Sequence, residues 1–388
     1  MLLSACTAPQ STAKASSQVE APLDTFIESR LAEQHIAGMA VAIVVDGDVV
    51  WAKGYGYADI SSKRTVTPST LFVAASVSKT VVAAGLMHAV ETGVLSLDTD
   101  INTILPFSVH NPYVKDAVIT ARHLATHSSG IVDNEKIYES AISYHYGGDN
   151  PISLGEFLKG YFTPGGVYYN GKDNFSNIIP GVIWKYSNIG AGLAAYVVEA
   201  ATGMPFDAYC KKYIFSPLGM ISTGWHQRDV DMARHATPYA YKGGQFMPYQ
   251  HYGLATWPDG GLRTTVLDLG RFLGMVMQGG TLNGVKVMNN STVCAMLEPQ
   301  AMGKQSQAIF WHEVLDAKGA SRYWGHFGAD PGAASFLAFD PEKHVGVVGF
   351  INTDNSESIS IALHQILFHL FDGAVDTRSI KHGSQSGG

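Results

Sequence analysis

Apolar residues fall into two kinds of run along this chain. Residues 39–45 (Met-Ala-Val-Ala-Ile-Val-Val) are unbroken, and residues 49–56 continue the theme after Asp46-Gly47-Asp48. Two strands joined by a tight hairpin are predicted there. Upstream, residues 22–36 place Phe26, Ile27, Leu31 and Ala32 on one side of a helix. Residues 71–75 read as a short buried segment. It leads into Val77, Val81, Val82, Leu86, Met87 and Val90 at helical spacing, with Gly93 as the stop. The middle of the chain is mixed, with helical stretches at 191–202 and 266–278 between long loops. The end returns to strand text at 322–328, 334–339 and 345–352, with a turn at Asp340-Pro341-Glu342-Lys343. A closing helix is predicted over 358–371.

Strand text at both ends around a helical middle predicts an α/β fold of the α+β kind. One antiparallel sheet from the N- and C-terminal parts is flanked by helices, with a mainly helical domain inserted. The expected division is 1–21 as a tether, 22–75 plus 305–373 as the sheet domain, 76–304 as the helical domain and 374–388 as a disordered tail. A site is expected at the junction of the two domains. Two loops, 160–181 and 239–261, are rich in glycine and aromatic residues. They read as surface packing or as walls of a binding site.

The 388 residues are 46% hydrophobic and 15% charged, which suits a large core. A net charge of -7 with no basic block argues against a nucleic-acid partner. No apolar run reaches the length of a membrane span. The three cysteines, Cys6, Cys210 and Cys294, form no zinc-like cluster. Cys210 and Cys294 either pair or remain free thiols. Leu3-Ser4-Ala5-Cys6 resembles a bacterial lipobox ahead of a Ser/Thr/Ala/Gln-rich stretch, although almost no signal sequence precedes it. It raises the expectation of a lipid anchor at Cys6 and a place in the bacterial cell envelope.

Candidate chemistry centres on Ser76-Val77-Ser78-Lys79. A lysine three residues after a serine on a helix lies one turn away on the same face. Kept neutral, it can take the hydroxyl proton and activate Ser76. At a helix start, free N–H groups favour the developing negative charge. The spacing alone is weak, because Ser11 and Lys14 share it and a plain N-cap reads the same way. Partners decide. Tyr186-Ser187-Asn188 precedes an apolar helix and offers a phenol for proton relay, whereas Tyr168-Tyr169-Asn170 sits within a Gly/Asn-rich loop. His326-Phe327-Gly328 lies on a strand, where Gly328 allows close backbone approach. His145-Tyr146-Gly147 and His251-Tyr252-Gly253 share that spacing in loops.

These three motifs in this order resemble the penicillin-recognising serine hydrolases. That group spans class C β-lactamases, D,D-carboxypeptidases, D-aminopeptidases and family VIII carboxylesterases. Residues 119–130, 260–265 and 326–332 strengthen the likeness, which runs from about Leu23 to Phe371. The resemblance implies Ser76 as acylated nucleophile, Lys79 as its base and Tyr186 as proton relay. It implies Asn188, His326, Phe327 and Gly328 as substrate-binding support, and the N–H groups of Ser76 and Ala329 as an oxyanion hole. It implies no metal and no cofactor. The substrate would be a small molecule or short peptide; the oligomeric state is left open.

The third motif departs from the Lys-Thr-Gly of β-lactamases. A histidine at 326 is expected to be neutral near pH 7, and Phe327 lacks a hydroxyl. Losing a charge-assisted contact costs roughly 1.5–3 kcal/mol, so poor β-lactam turnover is expected. An amide or peptide substrate is favoured ahead of an ester, with peptides of D- or non-protein residues within its range. A non-hydrolytic penicillin sensor is the rival of a different class, distinguished by a single burst of acylation. His123 and His127 are spaced for a metal but lack a third ligand nearby in sequence.

Overall fold

A computed structural model describes residues 11–302, 305–315, 319 and 321–383. Helix α1 (Ser11–Glu33) precedes strands β1 (Gly38–Val45), β2 (Asp48–Asp59) and β3 (Arg64–Thr65). After the helical middle come β4 (Gln300–Met302), β5 (Gln305–Gln307), β6 (His312–Leu315), β7 (Ser321–Asp330), β8 (Ala333–Asp340) and β9 (Val345–Ile351). These nine strands form one sheet in the order β4-β5-β6-β7-β8-β9-β1-β2-β3. Neighbours are antiparallel, and β1 joins the two halves of the chain by pairing with both β2 and β9. The expected sheet built from both ends is present.

Unbroken apolar text arises because both faces of the central strands are covered. In β1, Met39, Val41, Ile43 and Val45 pack toward one core, and Ala40, Ala42 and Val44 toward the other. In β9, Val347 and Ile351 join the first core and Val348 and Phe350 the second. The first core is closed by α1 and by the last helix, α5 (Glu357–Gly383). Against the second lies α4 (Val266–Met277). Gly270 and Gly274 let α4 close on the β1–β2 hairpin: a Cβ on Gly274 would collide with the carbonyl oxygen of Gly47. The hairpin turn itself needs positive φ at Asp46 (51°) and Gly47 (88°), as an Asp-Gly turn between two strands favours. Although α4 falls within the stretch expected as the helical domain, it packs as a layer of the sheet.

The remaining middle is built around α2 (Ser78–Glu91) and α3 (Asn188–Thr202), which pack against each other. Three expectations change. Helix α1 extends back through the expected tether to Ser11, so residues 11–14 are helical, as their alanine and lysine content permits. Helix α5 continues to Gly383, through text expected as a disordered tail. The two loop motifs at 145–147 and 251–253 meet in a short ribbon, in which Tyr144 faces Leu254 and Tyr146 faces Tyr252. Cys210 is buried, Cys294 is exposed and both are free thiols, while Cys6 lies outside the described residues.

Candidate active site

Ser76 stands on a single 3-10 turn, Ala75–Val77, that feeds directly into α2. Two residues before it, the backbone N–H of Ala74 donates to the carbonyl of Leu262. Ala75 adopts φ +46°, unusual for a residue with a Cβ and worth about 1–3 kcal/mol of local strain. The tight turn places Ser76 in the wall of a cavity. Phe72–Val73, just upstream, pairs with Arg263–Thr264 and fixes the approach.

Lys79 is fully buried, and its Nζ touches three oxygens. They are Ser76 Oγ at 3.0 Å, Asn188 Oδ1 at 2.7 Å and the Asp259 carbonyl at 2.7 Å. An ammonium can donate to all three. A neutral amine can donate to the two closer oxygens and point its lone pair at the Ser76 hydroxyl. The same positions therefore serve before and after proton transfer. The ring of Tyr186 lies alongside, its centroid 5.0 Å from Lys79 Nζ.

Asp133, which the sequence did not flag, and His127, read there only as a metal candidate, hold these groups. Asp133 accepts from Ser187 Oγ (2.8 Å), Asn188 N (2.8 Å), Asn188 Nδ2 (2.9 Å) and Ile189 N (3.0 Å). It both caps α3 and turns the Asn188 amide so that its oxygen meets Lys79. His127, at φ +53°, grips the chain on either side of Tyr186. Its carbonyl accepts from Lys185 N (2.6 Å) and its Nδ1 from Ser187 N (3.2 Å). Its ring lies 4.3 Å from that of Tyr186. Burial, then the nearby Lys79 charge, holds this imidazole well below its ordinary pKa. With Nδ1 accepting, the proton sits on Nε2, which has no partner among the described residues.

The opposite wall is the edge of β7. Pairing with β6 stops at Gly325, so residues 326–330 present an edge that runs past Ala74–Ser76. Gly328 makes this possible: a Cβ there would lie 2.7 Å from Ser76 N and 2.8 Å from the Ala74 carbonyl. Ala329 lines the cavity beside Ser76, which brings together the two residues expected to form the oxyanion hole. His326 is buried, and its Nδ1 donates to the Phe327 carbonyl at 2.6 Å. Burial, then His312 and Lys79, keeps it well below its ordinary pKa, so it is a neutral ring near pH 7. Its centroid is 6.4 Å from that of Tyr186.

Phe327 does not belong to the site. Successive strand residues point to opposite faces, and Phe327 stacks on His364 of α5 at 4.3 Å. A hydroxyl at position 327 would face α5, so its absence says nothing about the substrate.

The cavity in front of Ser76 has a volume of about 610 Å³ and is lined by Asn188, Ala329, Asp330, Asp354, Glu139 and three tyrosines, Tyr138, Tyr144 and Tyr146, among others. Tyr144 donates to Asp330 (2.6 Å) and Tyr138 to the buried Asp259 (3.1 Å). Desolvation raises the Asp259 carboxyl to about 7 against the pull of Lys79, and the Asp330 carboxyl to about 6.

The look-alike motifs serve elsewhere. Tyr168 packs 5.3 Å from Phe157, and Asn170 caps the turn at Lys172. His123 Nδ1 accepts from Thr120 N three residues away and His127 Nδ1 from the distant Ser187 N, so both candidate metal-binding histidines have one ring nitrogen engaged in a hydrogen bond.

A lysine-paired serine at a helix start, facing a strand edge across a cleft on this fold, defines the class of beta-lactamase-fold serine hydrolases. Residues 23–370 match the Beta-lactamase family, and the chain belongs to that family. It is 26% identical over 387 residues to the serine beta-lactamase-like protein LACTB, mitochondrial, of Mus musculus, covering 79% of this chain and 70% of that protein. It is 31% identical over 223 residues to penicillin-binding protein 4* of Bacillus subtilis, covering 56% of this chain and 44% of that one. Among solved structures, the octameric penicillin-binding protein homologue from Pyrococcus abyssi superposes with a TM-score of 0.74 at 27% identity, covering 90% of this chain and 77% of that one.

Proposed function

We propose that this chain hydrolyses amide bonds in small molecules or short peptides, including peptides with D- or non-protein residues, through an acyl-Ser76 intermediate. The observation that carries the reading is the contact of Lys79 Nζ with Ser76 Oγ, set by Asn188 and the Asp259 carbonyl. Lys79 takes the hydroxyl proton as Ser76 Oγ attacks the carbonyl carbon. The N–H groups of Ser76 and Ala329 receive the oxyanion. Tyr186 passes the proton to the departing amine as the C–N bond breaks. Water then attacks the acyl carbon, its proton returns through the same groups, and Ser76 is released.

A β-lactam brings a carboxylate that needs a cation. Among the described residues no lysine or arginine lines the cavity, and His326 is neutral. Poor turnover of β-lactams follows. The lipobox-like Leu3-Ser4-Ala5-Cys6 supports a location in the bacterial envelope, anchored through lipid on Cys6.

The test is a panel of D- and L-amino-acid p-nitroanilides, p-nitrophenyl esters, D-Ala-D-Ala peptides and nitrocefin on purified protein, with Ser76→Ala as control. Continued release from at least one amide, lost in the variant, is expected. Release of one equivalent and no more would replace the hydrolase by an acylated sensor.

A further inference from the structure

The charge of the cavity points to the kind of substrate it takes. Three acidic residues line the space before Ser76: Glu139, Asp330 and Asp354. Asp354 is fixed by Gly332 N (2.6 Å) and by the Tyr249 hydroxyl (2.9 Å). Asp330 is fixed by Tyr144. Glu139 stands at the exposed rim. Behind Tyr138, Asp259 is fully buried, and its Oδ2 has no hydrogen-bond partner among the described residues. The phenol rings form a connected aromatic wall. Tyr138 and Tyr144 meet edge-on at 6.2 Å, and Tyr144 and Tyr146 flank Tyr252 at 5.5 and 5.6 Å. Carboxylates set among aromatic faces attract a cation by charge and by ring quadrupole together. The same surroundings repel a carboxylate.

We propose that this cavity is a subsite for a protonated amine, so that the enzyme acts on substrates carrying an ammonium group near the bond that is cleaved. The proposal rests on Ser76 being the nucleophile, but the subsite is formed by other side chains and can be read separately. It reverses the charge preference of an enzyme that recognises the carboxylate of a β-lactam.

The experiment compares benzylamine with benzoate by titration calorimetry on the whole chain at about pH 7.5, where the amine is charged and the acid ionised. Benzylamine is expected to bind at least about tenfold more tightly, a preference that falls about fivefold in Glu139→Lys. Circular dichroism of the variant checks that it is folded, and the wild-type comparison is decisive by itself. Equal or tighter binding of benzoate, or no binding of benzylamine, overturns the subsite. Fluorophosphonate labelling of Ser76 in the same preparation reports on the nucleophile alone. Labelling without amine preference removes the subsite and keeps the hydrolase; amine preference without labelling does the reverse.

Discussion

Lys79 has three oxygens within 3.0 Å of its Nζ, and only Ser76 among them can become a nucleophile. What fixes Lys79 against Ser76 is the position of the other two. Asp133 sets one of them with four hydrogen bonds to Ser187, Asn188 and Ile189. Asp133→Ala leaves those donors unsatisfied and the Asn188 amide free to turn. Acylation is expected to fall at least about tenfold, with a loss of about 1–3 kcal/mol in urea unfolding. Unchanged acylation kinetics would remove Asp133 from this role. Ser76, Lys79 and Tyr186-x-Asn188 were legible in the sequence because each pair is local and its spacing matches a helix or turn. Asp133 and His127 were not, since they reach the Tyr186 segment from more than fifty residues away and nothing in their neighbourhood marks the contact. Phe327 was misread although strand alternation places it opposite His326.

At the scale of elements, the site depends on a strand edge meeting a turn. Strand β7 loses its β6 partner after Gly325, and the gap is occupied by Ala74–Ser76. Ser335 Oγ, on β8, donates to the Ala74 carbonyl at 2.6 Å and ties the turn to the sheet. Gly328→Ala would put a methyl group against Ser76 N, Ser335 Oγ and the Ala74 carbonyl, none of which can retreat freely. A loss of about 100-fold in kcat is expected, since one oxyanion donor is worth that much, with the far-UV spectrum retained. Wild-type kcat would show that the edge does not need to be this close. The strands and the hairpin were readable from continuous apolar runs and from Asp46-Gly47. Short strands β4 to β6 were not, because three or four residues give no periodicity. The ribbon of Tyr144–Tyr146 with Tyr252–Leu254 escaped for the same reason, although it supplies much of the cavity wall.

Across the whole molecule, buried titratable groups should govern stability against pH. His127, His235 and His326 are held well below their ordinary pKa by burial, and His251 and His312 are lowered to about 4. Each is neutral in the fold but binds a proton in the unfolded chain below about pH 6.5. Their contribution is present above that pH and is lost on acidification. Asp259 and Asp330, raised to about 7 and about 6, act oppositely: their contribution is present below about pH 4 and is lost as pH rises through those values. Five histidines outweigh two carboxyls between about pH 6.5 and 5, so the urea midpoint should fall on acidification through that window. A flat or rising midpoint would mean that the histidines do not stay neutral in the fold.

The central claim is that one serine, paired with one lysine, is the nucleophile. Intact-protein mass spectrometry after fluorophosphonate treatment tests it most directly. One adduct per chain is predicted, mapped to the Ser76 peptide, absent in Ser76→Ala and strongly slowed in Lys79→Ala. An adduct that survives Ser76→Ala in the folded protein, or maps to another residue, would contradict it.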